Sequence, residues 1–142
     1  MSLFTSLSVS ASGMSAQRTR AELLVENLAN AETTRTPEGG PYRRKDAVFA
    51  VEGQHSPFGS VFQQVTGEGV SVDEIIVDQR DPDRRYLPGH PDAGKDGYVL
   101  FPRMNPAEDM VDLQSASRGY QANIAAMSAV KDMLQKSIDL LR

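Results

Sequence analysis

Apolar side chains recur at heptad spacing through the C-terminal part of the chain. One series, spaced by seven residues, comprises Leu113, Tyr120, Met127, Leu134 and Leu141. A companion series three positions earlier comprises Met110, Ser117, Ile124, Lys131 and Ile138. This alternation is typical of a helix that packs in a coiled coil. Asn105-Pro106 supplies an N-cap and a good first helical residue, so the sequence predicts a helix from 106 to 141, roughly 50 Å long.

A weaker form of the same pattern occupies the N-terminal segment. Its heptad series comprises Leu7, Met14, Ala21 and Leu28, with Leu3 and Leu24 at the matching offset. Gly13 and the many serines before residue 16 lower the helix propensity, so we expect this helix to form mainly when it is packed. Turn-forming residues between 33 and 41 predict that the helix ends near Asn30.

Between the two helices the pattern changes to short apolar runs separated by Gly and Pro. The runs at 47–51, 61–66, 70–77 and 98–101 predict strands, and residues 80–92 predict a long ordered loop. The predicted fold class is therefore α+β, with long N- and C-terminal helices packed as a coiled-coil-like pair. A small β-rich module or an extended hairpin lies between them. The predicted segments are 1–31 and 105–142 for the helical core domain and 32–104 for the middle module.

Composition indicates a thin core and an uneven charge distribution. Among the 142 residues, 39% are hydrophobic and 6% are aromatic, and the chain has no Trp and no Cys. The net charge of −4 combines slightly basic ends with an acidic middle, which is not the clustered basic footprint of a nucleic-acid-binding protein. No apolar run reaches the length of a membrane span, and the N-terminus lacks the features of a cleavable signal peptide. The helices must therefore bury their apolar stripes on each other, on other chains, or on both.

Candidate reactive groups are better explained by local structure than by catalysis. His90, Asp92 and Asp96 lie close in sequence but lack the spacing of a calcium loop, and turn formation accounts for them. The Glu108-Asp109 pair suits the start of a helix. The chain also lacks a nucleophile elbow and a phosphate-binding glycine loop. We therefore expect no catalytic residue, no metal and no cofactor.

Two short motifs resemble the N-terminal signature of the flagellar axial proteins, the family that includes rod, hook and hook-associated subunits. They are Ala11-Ser12-Gly13-Met14, in which Met stands where Leu is usual, and Asn27-Leu28-Ala29-Asn30. Further segments resemble subunits of the proximal rod, namely Pro41-Tyr-Arg-Arg-Lys45, Gly89-His-Pro-Asp92, Asp96-Gly-Tyr-Val99 and Ser117-Arg-Gly-Tyr-Gln-Ala-Asn123. The resemblance extends over essentially the whole chain.

The resemblance implies a structural subunit that polymerises into the proximal rod of the flagellar basal body. The rod would be a helical drive shaft that transmits motor torque to the hook, encloses the export channel and is needed for motility. The implied partners are copies of this chain, other rod proteins, the basal adaptor FliE and the flagellar type III export apparatus. That apparatus would carry the subunit out of the cytoplasm without a cleavable signal, into the rod that spans the periplasm, and no direct insertion into a membrane is expected.

The apolar heptad positions are then the predicted assembly and packing residues. They are Leu3, Leu7, Met14, Ala21, Leu24, Leu28, Met110, Leu113, Tyr120, Ile124, Met127, Leu134, Ile138 and Leu141. The alternative interpretation of the same apolar heptad positions is a cytosolic coiled-coil adaptor protein that is not part of a filament. The two motifs favour the rod subunit over the adaptor.

Overall fold

A computed structural model describes residues 3–51 and 69–140. The elements in chain order are α1 (Leu3–Ala29), β1 (Lys45–Val51), β2 (Val70–Val77), β3 (Asp83–Tyr86), β4 (Tyr98–Phe101) and α2 (Pro106–Asp139). Two long helices therefore flank short antiparallel strands, and the α+β class is confirmed. The 61–66 strand prediction and the predicted packing residue Leu141 lie outside the described residues.

The helix boundaries follow from local chemistry. The Asn105 side chain accepts a hydrogen bond from the Ala107 backbone N–H at 3.2 Å, and Pro106 occupies the first turn. The predicted cap is therefore confirmed. The 34 residues of α2 correspond to a rod about 50 Å long. α1 ends at Ala29, one residue before the predicted end at Asn30.

The helices run antiparallel along each other. A methyl group added to Gly13 would lie 3.1 Å from the Asn123 side-chain nitrogen, and Gly119 lies similarly close to Gln17. Further along α1, the Arg20 guanidinium pairs with Asp112 at 3.4 Å. Later positions of α1 thus meet earlier positions of α2. Because glycine has no Cβ, the Asn123 and Gln17 side chains can pack directly on the opposite helix at Gly13 and Gly119.

The side of α2 that faces α1 differs from the predicted companion series. Its buried and half-buried positions include Asp109, Ala116, Asn123 and Val130, each one residue before a member of that series. Met110 and Ile138 are instead 63% and 59% exposed. One residue corresponds to about 100° of rotation around a helix. At the two glycines the opposite helix contributes the polar side chains of Asn123 and Gln17 to the contact, whereas Met110 and Ile138 lie beside it.

Within residues 3–51 and 69–140, the strands form two separate two-stranded sheets. β1 pairs antiparallel with β2 from Lys45 opposite Val77 to Val51 opposite Val70, with an irregularity after Val48. β3 pairs antiparallel with β4, so that Tyr86 lies opposite Tyr98. The strands predicted at 70–77 and 98–101 are confirmed, and the strand predicted at 47–51 begins two residues earlier.

The prediction of a loop over residues 80–92 is partly wrong, because Asp83–Tyr86 forms β3. All four of its residues are exposed, so the segment lacks the alternation of apolar and polar residues that identifies a half-buried strand. Pairing with β4 determines its conformation. Among the described residues, the buried apolar side chains are few, as the composition indicates: Ala16, Leu23, Leu24, Tyr42, Val99, Phe101 and Ala116.

Candidate assembly site

Asn27 of the second motif joins the end of α1 to the start of β1. Its side chain is fully buried. The amide nitrogen donates to the Lys45 carbonyl at 2.8 Å, and the amide oxygen accepts from the Lys45 backbone N–H at 3.0 Å. The same oxygen accepts from the Tyr42 hydroxyl at 3.0 Å. Asn is well suited to this position because one short side chain carries both a donor and an acceptor for a strand backbone.

The surroundings of Asn27 are partly buried and charged. Tyr42 is buried, and this burial, together with the negative charge of Glu26, raises the pKa of Tyr42 to about 12. The Tyr42 hydroxyl therefore stays protonated and remains a donor to Asn27 at neutral pH. The Lys45 ammonium pairs with Glu26 and lies 5.8 Å from the centre of the Tyr42 ring. These contacts fix the chain as it passes from helix to strand.

Ser12 of the first motif joins α1 to β2. Its hydroxyl donates to the Val9 carbonyl at 2.9 Å and accepts from the Val70 backbone N–H at 3.0 Å. Ser12 and Asn27 are separated by about 22 Å along the helix axis at 1.5 Å per residue. The seven residues of β1 have a similar length, about 23 Å. The β1–β2 sheet is therefore attached to α1 near both of its ends and lies along it.

The remaining motif residues shape α1. Asn30 donates to the Glu26 carbonyl at 2.9 Å and accepts from the Thr33 hydroxyl at 3.1 Å, which bonds the chain leaving the helix to its last turn. Gly13 allows the close approach to Asn123. Leu28 is half-buried, and Ala11 and Ala29 are exposed. The residues of the two motifs thus act mainly by attaching the β1–β2 sheet and α2 to α1.

Asp109 is a fully buried carboxylate at the start of α2. Its Oδ1 lies 3.1 Å from Arg44 Nη2, an ion-pair contact that lacks the alignment of a hydrogen bond. Neither carboxylate oxygen has a hydrogen-bond partner within the described part of the chain. Burial raises the pKa of Asp109, and the Arg44 charge opposes this shift. Arg44, the residue before β1, also pairs with Asp46 of β1 at 3.1 Å. Its guanidinium therefore joins the start of β1 to the start of α2.

The role of Asp109 does not follow from its apparent place in a helix-start pair. The sequence signal for its burial is its heptad position. A series spaced by seven residues comprises Asp109, Ala116, Asn123 and Val130. The polar residues in this series break its apolar pattern. The apolar heptad pattern therefore indicates the neighbouring series instead.

The predicted packing residues divide into two groups. Those buried or half-buried are Leu3, Leu7, Met14, Ala21, Leu24, Leu28, Leu113, Met127 and Leu134. Those exposed are Met110, Tyr120, Ile124 and Ile138. We call these four the outer α2 stripe. A groove of about 530 Å³ between the helices adjoins this stripe, lined among others by Ala21, Leu113 and Tyr120. The chain therefore offers apolar side chains both within its helix pair and beside it.

The described residues include no cluster of three or more His, Cys, Asp or Glu side chains that could hold a metal ion. The His90 ring accepts from the Asp92 backbone N–H at 3.1 Å, and Asp92 accepts from the Thr34 hydroxyl at 2.7 Å. These groups stabilise a turn. In the described residues, no helix combines the length and the apolar character needed to cross a bilayer.

Comparison with known proteins connects this geometry to one family. Residues 96–140 match the family model described as the C-terminal region of flagellar basal body rod FlgEFG proteins. The chain is 38% identical to the flagellar basal-body rod protein FlgC of Borreliella burgdorferi, covering 100% of this chain and 99% of that one. It is 40% identical to the FlgC of Bacillus subtilis, over 99% of both chains. It is 38% identical to the FlgC of Salmonella typhimurium, over 99% of this chain and 98% of the relative.

Proposed function

Because the chain belongs to the FlgC family of flagellar basal-body rod proteins, we propose that its two helices build the proximal part of the rod by packing against neighbouring subunits. Its relatives are structural rod proteins, and the chain is accordingly a structural subunit of the basal-body rod, needed for motility, and not an enzyme. The cytosolic adaptor alternative is disfavoured, because the similarity to rod proteins extends over the full chain.

The observation that carries the proposal is the outer α2 stripe. Met110, Ile124 and Ile138 are 63%, 43% and 59% exposed, although they lie on the same helix as the buried contact. Large apolar residues aligned along one side of a long helix are typical of an interaction surface. In the rod, these residues would be covered by helices of adjacent subunits. The half-buried heptad residues of α1 include Leu7 and Met14. They would pack against α2 of the same subunit, so that the two helices form a coiled-coil-like pair.

The proposed assembly is head-to-tail. A contact between two different surfaces of identical subunits builds an open helix when its rotation does not close a ring. Repetition of such contacts would give a tube that serves as the drive shaft, transmits torque to the hook and encloses the export channel. Residues 1–31 and 105–142 would form the tube, and residues 32–104 would lie outside it. Other rod proteins, the basal adaptor FliE and the type III export apparatus are the proposed partners.

A pair of substitutions on α2 tests the proposed surface. Ile124→Asp places a charge in the outer α2 stripe, where burial against a neighbour would cost several kcal/mol. Ala125→Asp places the same charge at the next exposed position, about 100° around the helix. In a strain that lacks its own rod subunit, Ile124→Asp should abolish incorporation into basal bodies, and Ala125→Asp should retain it.

Circular dichroism of both purified variants provides the control for folding. Equal helix content would show that a defect arises in assembly. Normal swimming and normal incorporation of the Ile124→Asp chain would contradict the proposed surface, although the family membership would stand.

A further inference from the structure

The outer side of the β3–β4 sheet is aromatic and basic. Val99 and Phe101 are buried, so the alternate positions of β4, Tyr98 and Leu100, lie on the opposite side of the sheet. The register places Tyr86 opposite Tyr98 and Arg84 opposite Leu100. We call these four residues the aromatic face. All four are exposed, and among the described residues Arg84 has no ion-pair partner.

The two tyrosines of the aromatic face contact each other and the turn at Gly97. The rings of Tyr86 and Tyr98 meet edge to face, with their centres 5.3 Å apart. Tyr86 also packs on Gly97, where a side-chain Cβ would lie 2.8 Å from the Tyr86 ring. Gly97 has a φ of +75°, a conformation that favours glycine. Tyr and Arg are enriched among the residues that contribute most of the binding energy at protein interfaces. Because the two rings already contact each other, their side chains should lose less conformational freedom on binding.

The outer side of the β1–β2 sheet has the complementary character. Ala47 and Phe49 of β1 are half-buried and line a small cavity with Leu23 and Leu24 of α1. Asp46 also borders that cavity, but Asp46 and Val48 alternate with the half-buried positions and are exposed. The register pairs Asp46 with Ile76 and Val48 with Glu74. We call these four residues the acidic face, and all four are exposed. Asp46 shares its charge with Arg44, whereas Glu74 has no ion-pair partner within the described ranges.

We propose that the acidic face of one copy of this chain docks on the aromatic face of the next copy in the rod. Val48 and Ile76 would cover the two tyrosine rings, and Glu74 would pair with Arg84. Both faces are exposed in a single copy, so they do not satisfy each other within one chain. Because they belong to different sheets, the contact is head-to-tail and can repeat from copy to copy. The inference rests on the proposed function and adds a contact outside the helices.

The contact would be effective only inside the assembly. Four side chains on each partner cover far less than the roughly 800 Å² per partner of a stable isolated interface. Copies already held by their helices meet at a high effective concentration, which makes a small second contact significant. The experiment therefore uses assembled basal bodies. The chain has no cysteine, so every thiol on it is an introduced one.

Cross-linking between two tagged copies tests the contact directly. One copy carries Glu74→Cys and the other carries Arg84→Cys, both are expressed in one strain, and purified hook–basal bodies are treated with a short bismaleimide. The expected product is a dimer that contains both tags. The matched control replaces Glu74→Cys by Glu32→Cys, another exposed acidic residue, and should give at most about a tenth of that product. Equal yields, no product, or cross-links to a different rod protein would overturn the inference.

Charge reversal provides a second readout that needs no cross-linker. Glu74→Arg and Arg84→Glu should each reduce the swimming rate severalfold, because each places like charges in contact. The chain carrying both substitutions restores an opposite pair and should swim at close to the parent rate. A double variant no better than either single variant would overturn the inference. Absence of the parent chain from basal bodies would instead refute the proposed function, and this contact with it.

Discussion

Replacing Asn27 by Ala removes three hydrogen bonds at one fully buried position. It leaves the Lys45 backbone N–H and carbonyl and the buried Tyr42 hydroxyl without their partner. A net hydrogen bond contributes about 1 kcal/mol, and an unsatisfied buried group costs about 1–3 kcal/mol. Alanine recovers about 0.5 kcal/mol through its higher helix propensity. The expected loss is therefore about 3 kcal/mol of unfolding free energy.

That loss is a large part of the stability of a domain with few buried apolar residues. Native domains have about 5–15 kcal/mol in total, and the thin core places this chain toward the lower end. A change of 1 kcal/mol shifts the melting temperature by about 2–4 °C in chains slightly longer than this one. Asn27→Ala should therefore lower the melting temperature by about 10 °C, measured by circular dichroism.

Two further substitutions show whether the buried hydrogen bonds cause the effect. Tyr42→Phe removes one of the three bonds and should cost about 1 kcal/mol. Asn30→Ala removes bonds that only join neighbouring turns, and it should cost a similar amount. Combining Asn27→Ala with Tyr42→Phe should cost less than the sum of the two, because the shared bond is lost only once. A cost below about 1 kcal/mol for Asn27→Ala would refute the reasoning.

Further predictions concern the helix contact and the buried carboxylate. Gly13→Val should lower stability by about 1–3 kcal/mol in urea unfolding through overpacking against Asn123, whereas Ala11→Val at an exposed position should cost a few tenths; equal costs would contradict the close approach. Asp109→Asn should leave stability at about pH 7 unchanged or raise it by about 1 kcal/mol, because it removes a buried charge that lacks hydrogen bonds. Burial raises the pKa of Asp109 above its ordinary value, so the folded state binds its proton more tightly than the unfolded state. The parent chain should therefore gain stability relative to Asp109→Asn as the pH falls from above this raised pKa toward the ordinary carboxylate range, and a difference that stays constant between about pH 7 and about pH 4 would contradict the assignment.

The elements with strong local signals could be predicted from the sequence. The cap at Asn105, the heptads behind it and the apolar runs at β2 and β4 each depend on residues close together in the chain. β3 could not be predicted in this way, because its exposed residues carry no alternation and its conformation depends on pairing with β4. The side of α2 that faces α1 depends on the packing of distant residues, Gly13 with Asn123 among them.

The candidate site shows the same limit. The family resemblance selected Ser12 and Asn27, but their roles depend on contacts with Val70 and Lys45, which lie 58 and 18 residues further along the chain. The burial of Asp109 against Arg44 likewise arises only when β1 meets the start of α2. Periodicity alone did not distinguish the heptad positions that are buried or half-buried from those that stay exposed.

Quantitative mass spectrometry of detergent-stripped hook–basal bodies tests the central claim most directly. A rod subunit should be present in a fixed ratio to the other rod proteins, and that ratio should be the same in independent preparations. The chain should also remain after the membrane is removed, because its place is set by packing against other subunits. Absence from intact basal bodies, or an amount that varies freely relative to the other rod proteins, would contradict the account.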